Sequence, residues 1–250
     1  GGKQLLAESR QILAQEDEAA ARAARLHHGE TGELRIGFTS SAPFIKAVSD
    51  TLSMFRQRLP DVHILTRETN TREQIVPLSE GALDLGLLRN TQLPDTLTWE
   101  RVLREPLLAM VPANHPLARQ PSVSLAALAR EPFVFFDPHV GTGLYDDILG
   151  LLRRYGHTPK IAQEVGEEMT IIGLEAAGLG VSILPASFPR VQLSEMRWLP
   201  IDEQDAVSEM WLVWSKPHEQ GALAKRFREA LLSWKSELNC GAKGLERCGI

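Results

Sequence analysis

Cysteine is nearly absent from this chain: only Cys240 and Cys248 occur, both within the last eleven residues. Such a pair is no disulfide framework, and it suits a reducing compartment. Long apolar runs are missing too. The longest span only a few residues, well short of the ~18 that cross a bilayer. No basic segment followed by an apolar core opens the sequence, so neither a membrane partner nor a secretory signal is expected. Positive charge is in deficit, with 27 Lys and Arg against 32 Asp and Glu and a net charge of −5 at pH 7. The basic footprint that drives nucleic-acid binding is therefore lacking. So are the usual catalytic strings: there is no G-x-S-x-G, no H-E-x-x-H, no Walker A loop and no G-x-G-x-x-G after a strand. The seven histidines are scattered, and zinc at the two cysteines would need two further ligands nearby. These absences predict a cytoplasmic protein of small-molecule chemistry with no metal, no cofactor and no enzymatic constellation.

What is present is an ordinary globular composition. At 43% hydrophobic and 24% charged over 250 residues, the chain is long enough for one or two domains. It can bury roughly 70% or more of its unfolded surface and needs no covalent staples. Its first thirty residues stand apart. Lys3 to His28 contain no Pro or Gly and seven alanines, a strongly helical composition. Leu5, Ile12, Ala19 and Leu26 fall seven apart, but Ser9 and Glu16 make the other half of the seam polar. Such a narrow apolar stripe suits either a partner helix or the helix's own domain. Gly29 and Gly32 end it, with His27 and His28 in the last turn, where cations are favoured.

Beyond Gly32 the pattern alternates. Leu34–Phe38 reads as a buried strand, and Ser41 as the cap of a helix carrying Ile45, Val48, Leu52, Phe55 and Leu59. Pro60 stops that helix before a strand at Val62–Thr66. Thr71 and Gln74 read as a capping box opening the next helix, which ends near Gly81, and Asp84–Leu88 as a third strand. This order is the grammar of a mostly parallel sheet with right-handed crossovers. Two extended stretches follow, Trp99–Glu105 and Leu107–Val111, and the alternation then restarts. Phe133–Phe136, Ile161–Val165 and Val181–Leu184 are expected as strands, with helices at Leu144–Tyr155 and Glu167–Ala177 between them. Met196–Pro200 and Met210–Ser215 are further strands, Glu219–Leu238 a last helix, and 239–250 a frayed tail. Gly178-Leu179-Gly180 follows a helix and precedes a strand, the reverse of phosphate-loop order, and reads as a turn. The repeated unit predicts an α/β fold of two similar Rossmann-like lobes with a central cleft, preceded by a linker helix.

Ligands of open α/β sheets bind outside the carboxyl ends of strands, where helix N-termini offer unpaired N–H groups. At such positions lie Ser40, Ser41 and Ala42 after the first strand and Thr71 after the second. Each hydroxyl is either a ligand donor or simply an N-cap. Arg89, just past the third strand, is either a fork for an anionic ligand or a solvated loop arginine. From the second lobe, the loop through Gly141, Thr142, Gly143 and Leu144 allows close backbone approach to a ligand. Glu167 and Glu168 read as a plain complement to a helix dipole.

Several segments carry a family resemblance. They are Gly32-Glu33-Leu34-Arg35-Ile36-Gly37-Phe38, Phe55-Arg56-Gln57-Arg58-Leu59-Pro60-Asp61-Val62 and Gly81-Ala82-Leu83-Asp84-Leu85-Gly86-Leu87. Val111-Pro112-Ala113-Asn114-His115-Pro116-Leu117-Ala118 and Ala177-Gly178-Leu179-Gly180-Val181-Ser182-Ile183-Leu184-Pro185 follow. Five such strings, in order over some 200 residues, resemble the regulatory half of LysR-type transcriptional regulators, as far as about Leu238. In detail they look most like the branch that responds to aromatic-degradation metabolites such as benzoate and muconate. The resemblance implies a type 2 periplasmic-binding-protein-like fold with an effector between the lobes. It implies effector contacts at Ser41, Ala42, Thr71, Arg89, Thr142 and Leu144. The aromatic-responsive branch carries a proline at the position of Thr142 and a bulkier apolar residue at that of Leu144, so the effector's identity stays open.

The resemblance further implies a winged helix-turn-helix of about 60 residues ahead of the linker helix, absent from this sequence. DNA would be a partner only through that head, and the chain would form a dimer or tetramer. The expected division is 1–30 linker helix, 33–111 with 209–238 first lobe, 112–208 second lobe and 239–250 tail. The expected function is effector sensing and oligomerisation, with a small organic anion as ligand. A free-standing solute-binding protein of the same fold is the alternative, and an enzyme such as a dehydratase a more distant one.

Overall fold

The computed structural model describes residues 16–17, 19–21, 23–140, 143–190, 193–216 and 221–234. The start expected for the leading helix, Gly141, Thr142, the end expected for the last helix, both cysteines and residues 239–250 lie outside them. Residues 23–27 are helical, and Gly29 ends the helix at φ +64°. A Cβ there would sit 2.8 Å from the Leu223 amide nitrogen, so only glycine lets the chain pass this close to the last helix. Arg226 fastens the same junction, donating from Nη1 to the carbonyls of His28 and Gly29 at 3.0 and 3.1 Å.

The first lobe opens with β1 (Gly32–Phe38), α1 (Lys46–Arg58), β2 (Val62–Glu68), α2 (Ile75–Ser79) and β3 (Leu85–Arg89). β1 lies between β2 and β3, parallel to both. Apolar alternation drives this: Leu34, Ile36, Leu85 and Leu87 are buried beneath Val48 and Phe55 of α1. The last helix, α6 (Ala222–Ser233), completes that core, with Phe227 stacked edge-on to Phe55 at 5.0 Å.

The two extended stretches expected on either side of Pro106 are one strand, β4 (Leu97–Pro112), with a bulge between Arg101 and Leu103. Proline does not break it because β4 changes partners there. Up to Pro106 it runs antiparallel to β9 (Val207–Ser215), and from Leu107 it pairs with β7 (Ser182–Pro185) and β8 (Met196–Pro200). The Pro106 carbonyl accepts from Ala186, and Leu107 resumes donation to Ala206 at 2.8 Å. The main sheet of seven strands is consequently mixed, in the order β2-β1-β3-β9-β4-β7 with β8 also on β4. The mostly parallel sheet expected from the alternation is corrected by β9, which returns antiparallel between β3 and β4.

The second lobe carries α3 (Leu125–Leu128), β5 (Pro132–Phe136), α4 (Gly143–Arg154), β6 (Lys160–Val165) and α5 (Glu168–Ala176). α3 was not expected; four residues are too short for a periodic signal, and its cap is Ser124, which accepts from Ala127. β5 and β6 pair in parallel, and Val134 reaches Val181 beside β7. Phe133, Phe135, Phe136, Ile148, Leu151 and Ile171 fill a core separate from that of the first lobe.

Candidate functional site

Because β1, β2 and β3 are parallel, their carboxyl ends open on one edge, and the segments leaving them face the second lobe across a cleft. A cavity of about 420 Å³ lies there. Thr39, Ser40, Glu68, Thr71 and Arg89 line it from the first lobe, and Val140, Gly143, Leu144, Glu167 and Glu168 from the second. Its volume falls within the range of small-molecule pockets.

Arg89 is buried in β3 rather than solvated beyond it, with 1% of the residue exposed. Its Nη1 pairs with Glu105 of β4 at 3.0 Å and reaches the Ser208 hydroxyl of β9 at 3.4 Å. Nε donates to Ser41 Oγ at 3.3 Å, while Nη2 has no hydrogen-bond partner among the described residues. Glu105 also accepts from the Ser187 amide at 2.7 Å. Ser208 donates to Asp147 of α4 at 2.6 Å. Burial pushes the Asp147 carboxyl up to about 6, against the pull of Ser208, Arg89 and Asn90, with Asp146 adding to the rise. Burial likewise raises Glu168 above the usual carboxylate range, against the Ser40 hydroxyl, its own amide and Arg89.

Several contacts close the lobes on each other. The Ser40 hydroxyl donates to Glu168, and Gly143 N donates to Thr71 Oγ1 at 3.3 Å. Arg72 pairs with Asp146 at 3.1 Å at the surface, and Phe44 stacks on Phe188 with ring centroids 5.0 Å apart. Gly143 is required at this seam: a Cβ would lie 2.6 Å from the Arg89 Cβ.

Of the residues singled out in the sequence, Ser40, Thr71, Arg89, Gly143 and Leu144 line the cavity. Ser41 and Ala42 are fully buried behind its wall, where Ser41 holds Arg89. Thr142 lies outside the described residues. The capping readings need correction. Neither Ser41 nor Thr71 makes a side-chain cap bond; each precedes a short 3-10 turn, and α1 begins only at Lys46. Gln74 does not reach back as in a capping box: its amide turns inward to the carbonyls of Thr69 and Leu87 at 3.4 and 3.3 Å. Glu168 is more than a dipole complement, being buried and bonded across the cleft. Sequence reasoning also passed over Glu68, Glu73, Glu105, Asp147 and Ser208. Nothing local distinguishes these from solvated polar residues; only long-range pairing brings them to the cleft. Among the described residues, no group of three or more metal-ligating side chains forms.

A mixed sheet folded into two lobes with a polar cleft between them defines the type 2 periplasmic-binding-protein-like class. The model of the LysR substrate-binding domain matches residues 27–236, and the chain belongs to that family. It is 72% identical over 232 residues to the uncharacterized HTH-type transcriptional regulator YnfL of Escherichia coli (strain K12), covering 93% of this chain and 78% of that protein. It is 28% identical over 229 residues to the HTH-type transcriptional regulator BudR of Raoultella terrigena, covering 91% and 79%. Among solved structures, the BenM effector-binding domain with its effector benzoate superposes with a TM-score of 0.71 at 25% identity, covering 82% of this chain and 93% of that one. Full-length CbnR in complex with its target DNA shares the fold, at a TM-score of 0.77 and 22% identity, over 92% and 77% of the two chains.

Proposed function

We propose that this chain is the effector-sensing and oligomerisation part of a cytoplasmic LysR-type transcriptional regulator, not an enzyme, and that it binds a small organic carboxylate between its lobes. The observation that carries the reading is Arg89: a buried guanidinium among the cavity's lining residues whose Nη2 has no hydrogen-bond partner among the described residues. A buried donor left unpaired costs about 1–3 kcal/mol, and more when charged, which a ligand carboxylate would offset. Ser40, Thr71, Gly143 and Leu144 line the same space, while Ser41 holds Arg89 from behind and Ala42 backs the wall. Thr142, beside Gly143, completes the proposed set.

The proposed division takes 1–30 as linker helix, 33–111 with 209–238 as one lobe, 112–208 as the other, and 239–250 as a tail. An effector touching both lobes favours one lobe angle, since a ligand shifts an equilibrium only through differential affinity. In a dimer or tetramer that angle would reset the spacing of DNA-reading heads of the helix-turn-helix type named for the relatives. The kinship of BenM, solved with benzoate, supports an organic acid as ligand.

Thermal denaturation of the chain with a panel of organic acids tests this. A true effector at a hundred times its Kd adds roughly 2.7 kcal/mol. Arg89→Lys, which keeps the charge opposite Glu105 but loses the fork, is expected to weaken it at least tenfold. Ser41→Ala and Thr71→Ala should weaken it less. A response untouched by all three variants would remove the ligand from the cleft.

A further inference from the structure

The cleft is more acidic than a site for a simple anion should be. Glu68, Glu73, Glu167 and Glu168 line it, and Arg89 is the one cationic side chain among the described lining residues. That single positive charge is already matched by Glu105 at 3.0 Å. Beside Glu168, the acidic side chains of Glu68, Glu73 and Glu167 line a cavity only about 420 Å³ in volume. A ligand seated in a cavity of this volume would lie close to its lining groups, where salt screens less than it does between charges more than a Debye length, ~8 Å at physiological ionic strength, apart. A narrow cleft with walls of one sign also concentrates the field and draws in cations. A mono- or dicarboxylate binding here would meet net repulsion.

Two buried groups of opposite sign belong to the lining of this space. Arg89 carries a buried Nη2 donor with no hydrogen-bond partner among the described residues. Glu168, 4% exposed at the start of α5, takes the Ser40 hydroxyl on Oε2 and forms no ion pair among the described residues. Both line the same cavity. From this arrangement we infer that the effector is zwitterionic, a small molecule with an ammonium group a few bonds from its carboxylate. The carboxylate lies on Arg89, and the ammonium on Glu168 beneath the acidic rim. This inference rests on the cleft being the effector site and specifies the chemistry that the site takes. A desolvated ammonium–carboxylate contact is a charge-assisted hydrogen bond, about twice as strong as a neutral one. It also supplies the positive charge that the rim lacks.

Three matched probe series discriminate: L-phenylalanine, 3-phenylpropanoate and 2-phenylethylamine; L-norvaline, pentanoate and butylamine; L-aspartate, succinate and 3-aminopropanoate. Binding to the purified chain is read by thermal shift and calorimetry. In at least one of the first two series the amino acid should bind ten times more tightly than either the deaminated acid or the amine. In the third series, both ammonium-bearing acids should outbind succinate. Glu168→Gln should abolish that preference by weakening the zwitterion while leaving the plain acid unchanged or improved. The thermal midpoint of the ligand-free variant confirms its fold. Deaminated acids that bind as well as their amino acids overturn the inference, as do amines that bind equally, or a panel in which no zwitterion binds. Deaminated acids that bind as well as their amino acids and are weakened by Arg89→Lys would discard the zwitterion and keep the cleft. Acid binding untouched by Arg89→Lys, Ser41→Ala and Thr71→Ala would discard the cleft reading itself.

Discussion

Arg89 gathers side chains from three separate places: Ser41 after β1, Glu105 in β4 and Ser208 in β9. A buried ion pair of this kind adds little net stability, because desolvation offsets most of the attraction. Its effect is to hold one guanidinium in one orientation at the cavity wall. Asp147, linked to the network through Ser208, has a measurable consequence. Its folded pKa of about 6 lies above its ordinary 3.8, so the folded state binds the proton more tightly than the unfolded chain. The stability this contributes is complete below about pH 4 and is lost as pH rises through about 6. Asp147→Asn should flatten that part of the profile and gain roughly 1–2 kcal/mol at pH 7 relative to pH 4. Denaturant titrations at the two pH values check it, and equal differences at both would refute it. Glu175 behaves in the same direction: fully buried in α5, with neither oxygen hydrogen-bonded, it is pushed well above the usual range by burial, with Ser182 the polar group opposing that rise.

Among the elements, α4 is the one that joins the lobes. Its first residue, Gly143, touches Thr71 and Arg89, and its first two turns carry Asp146 to Arg72 and Asp147 to Ser208. The apolar face, Ile148, Leu151 and Leu152, seats it in the second-lobe core. Gly143→Ala would press a methyl to 2.6 Å from the Arg89 Cβ, an atom fixed by the backbone of β3. The helix must then back away from the first lobe. Overpacking of this kind costs typically 1–3 kcal/mol. We expect a lower thermal midpoint and weaker effector binding together; an unchanged midpoint and affinity would show that the seam is loose. Most helices and strands were legible to within a few residues, because their apolar periodicity is local: α4, β5 and β8 fall where the pattern puts them. The failures were at caps, at Pro106, at the four-residue α3 and in the sense of the sheet, which is mixed and not mostly parallel. Thr71 and Gln74 have the spacing of a capping box, yet burial of Gln74 against two carbonyls wins over local capping.

At the scale of the molecule, the two cores are joined by one sheet. β4 runs from the first lobe into the second, and β9 returns beside it. Separating the lobes would leave half of β4 unpaired. The described lobes should accordingly unfold in a single transition, although proteins of two lobes often do not. Scanning calorimetry should give a calorimetric enthalpy close to the van't Hoff value; two resolved peaks would mean that the shared strands do not couple the cores. No helix among the described residues is long and apolar enough to cross a membrane.

By itself, the sequence determined the order of elements, the doubling of the α/β unit and membership of the LysR substrate-binding family, because periodicity, turn residues and short ordered strings are local properties. It also pointed to loops that line the cavity, since strand ends precede the segments that face a cleft. Tertiary structure decided the rest. It made one strand of two, turned a parallel sheet into a mixed one, buried Arg89 against Glu105 and brought Glu168 to Ser40 across 128 positions of sequence. Charge and burial at the cleft are sums over residues far apart in the chain. The acidity of the site, and with it the chemistry of the proposed effector, therefore exists only once the lobes have closed on each other.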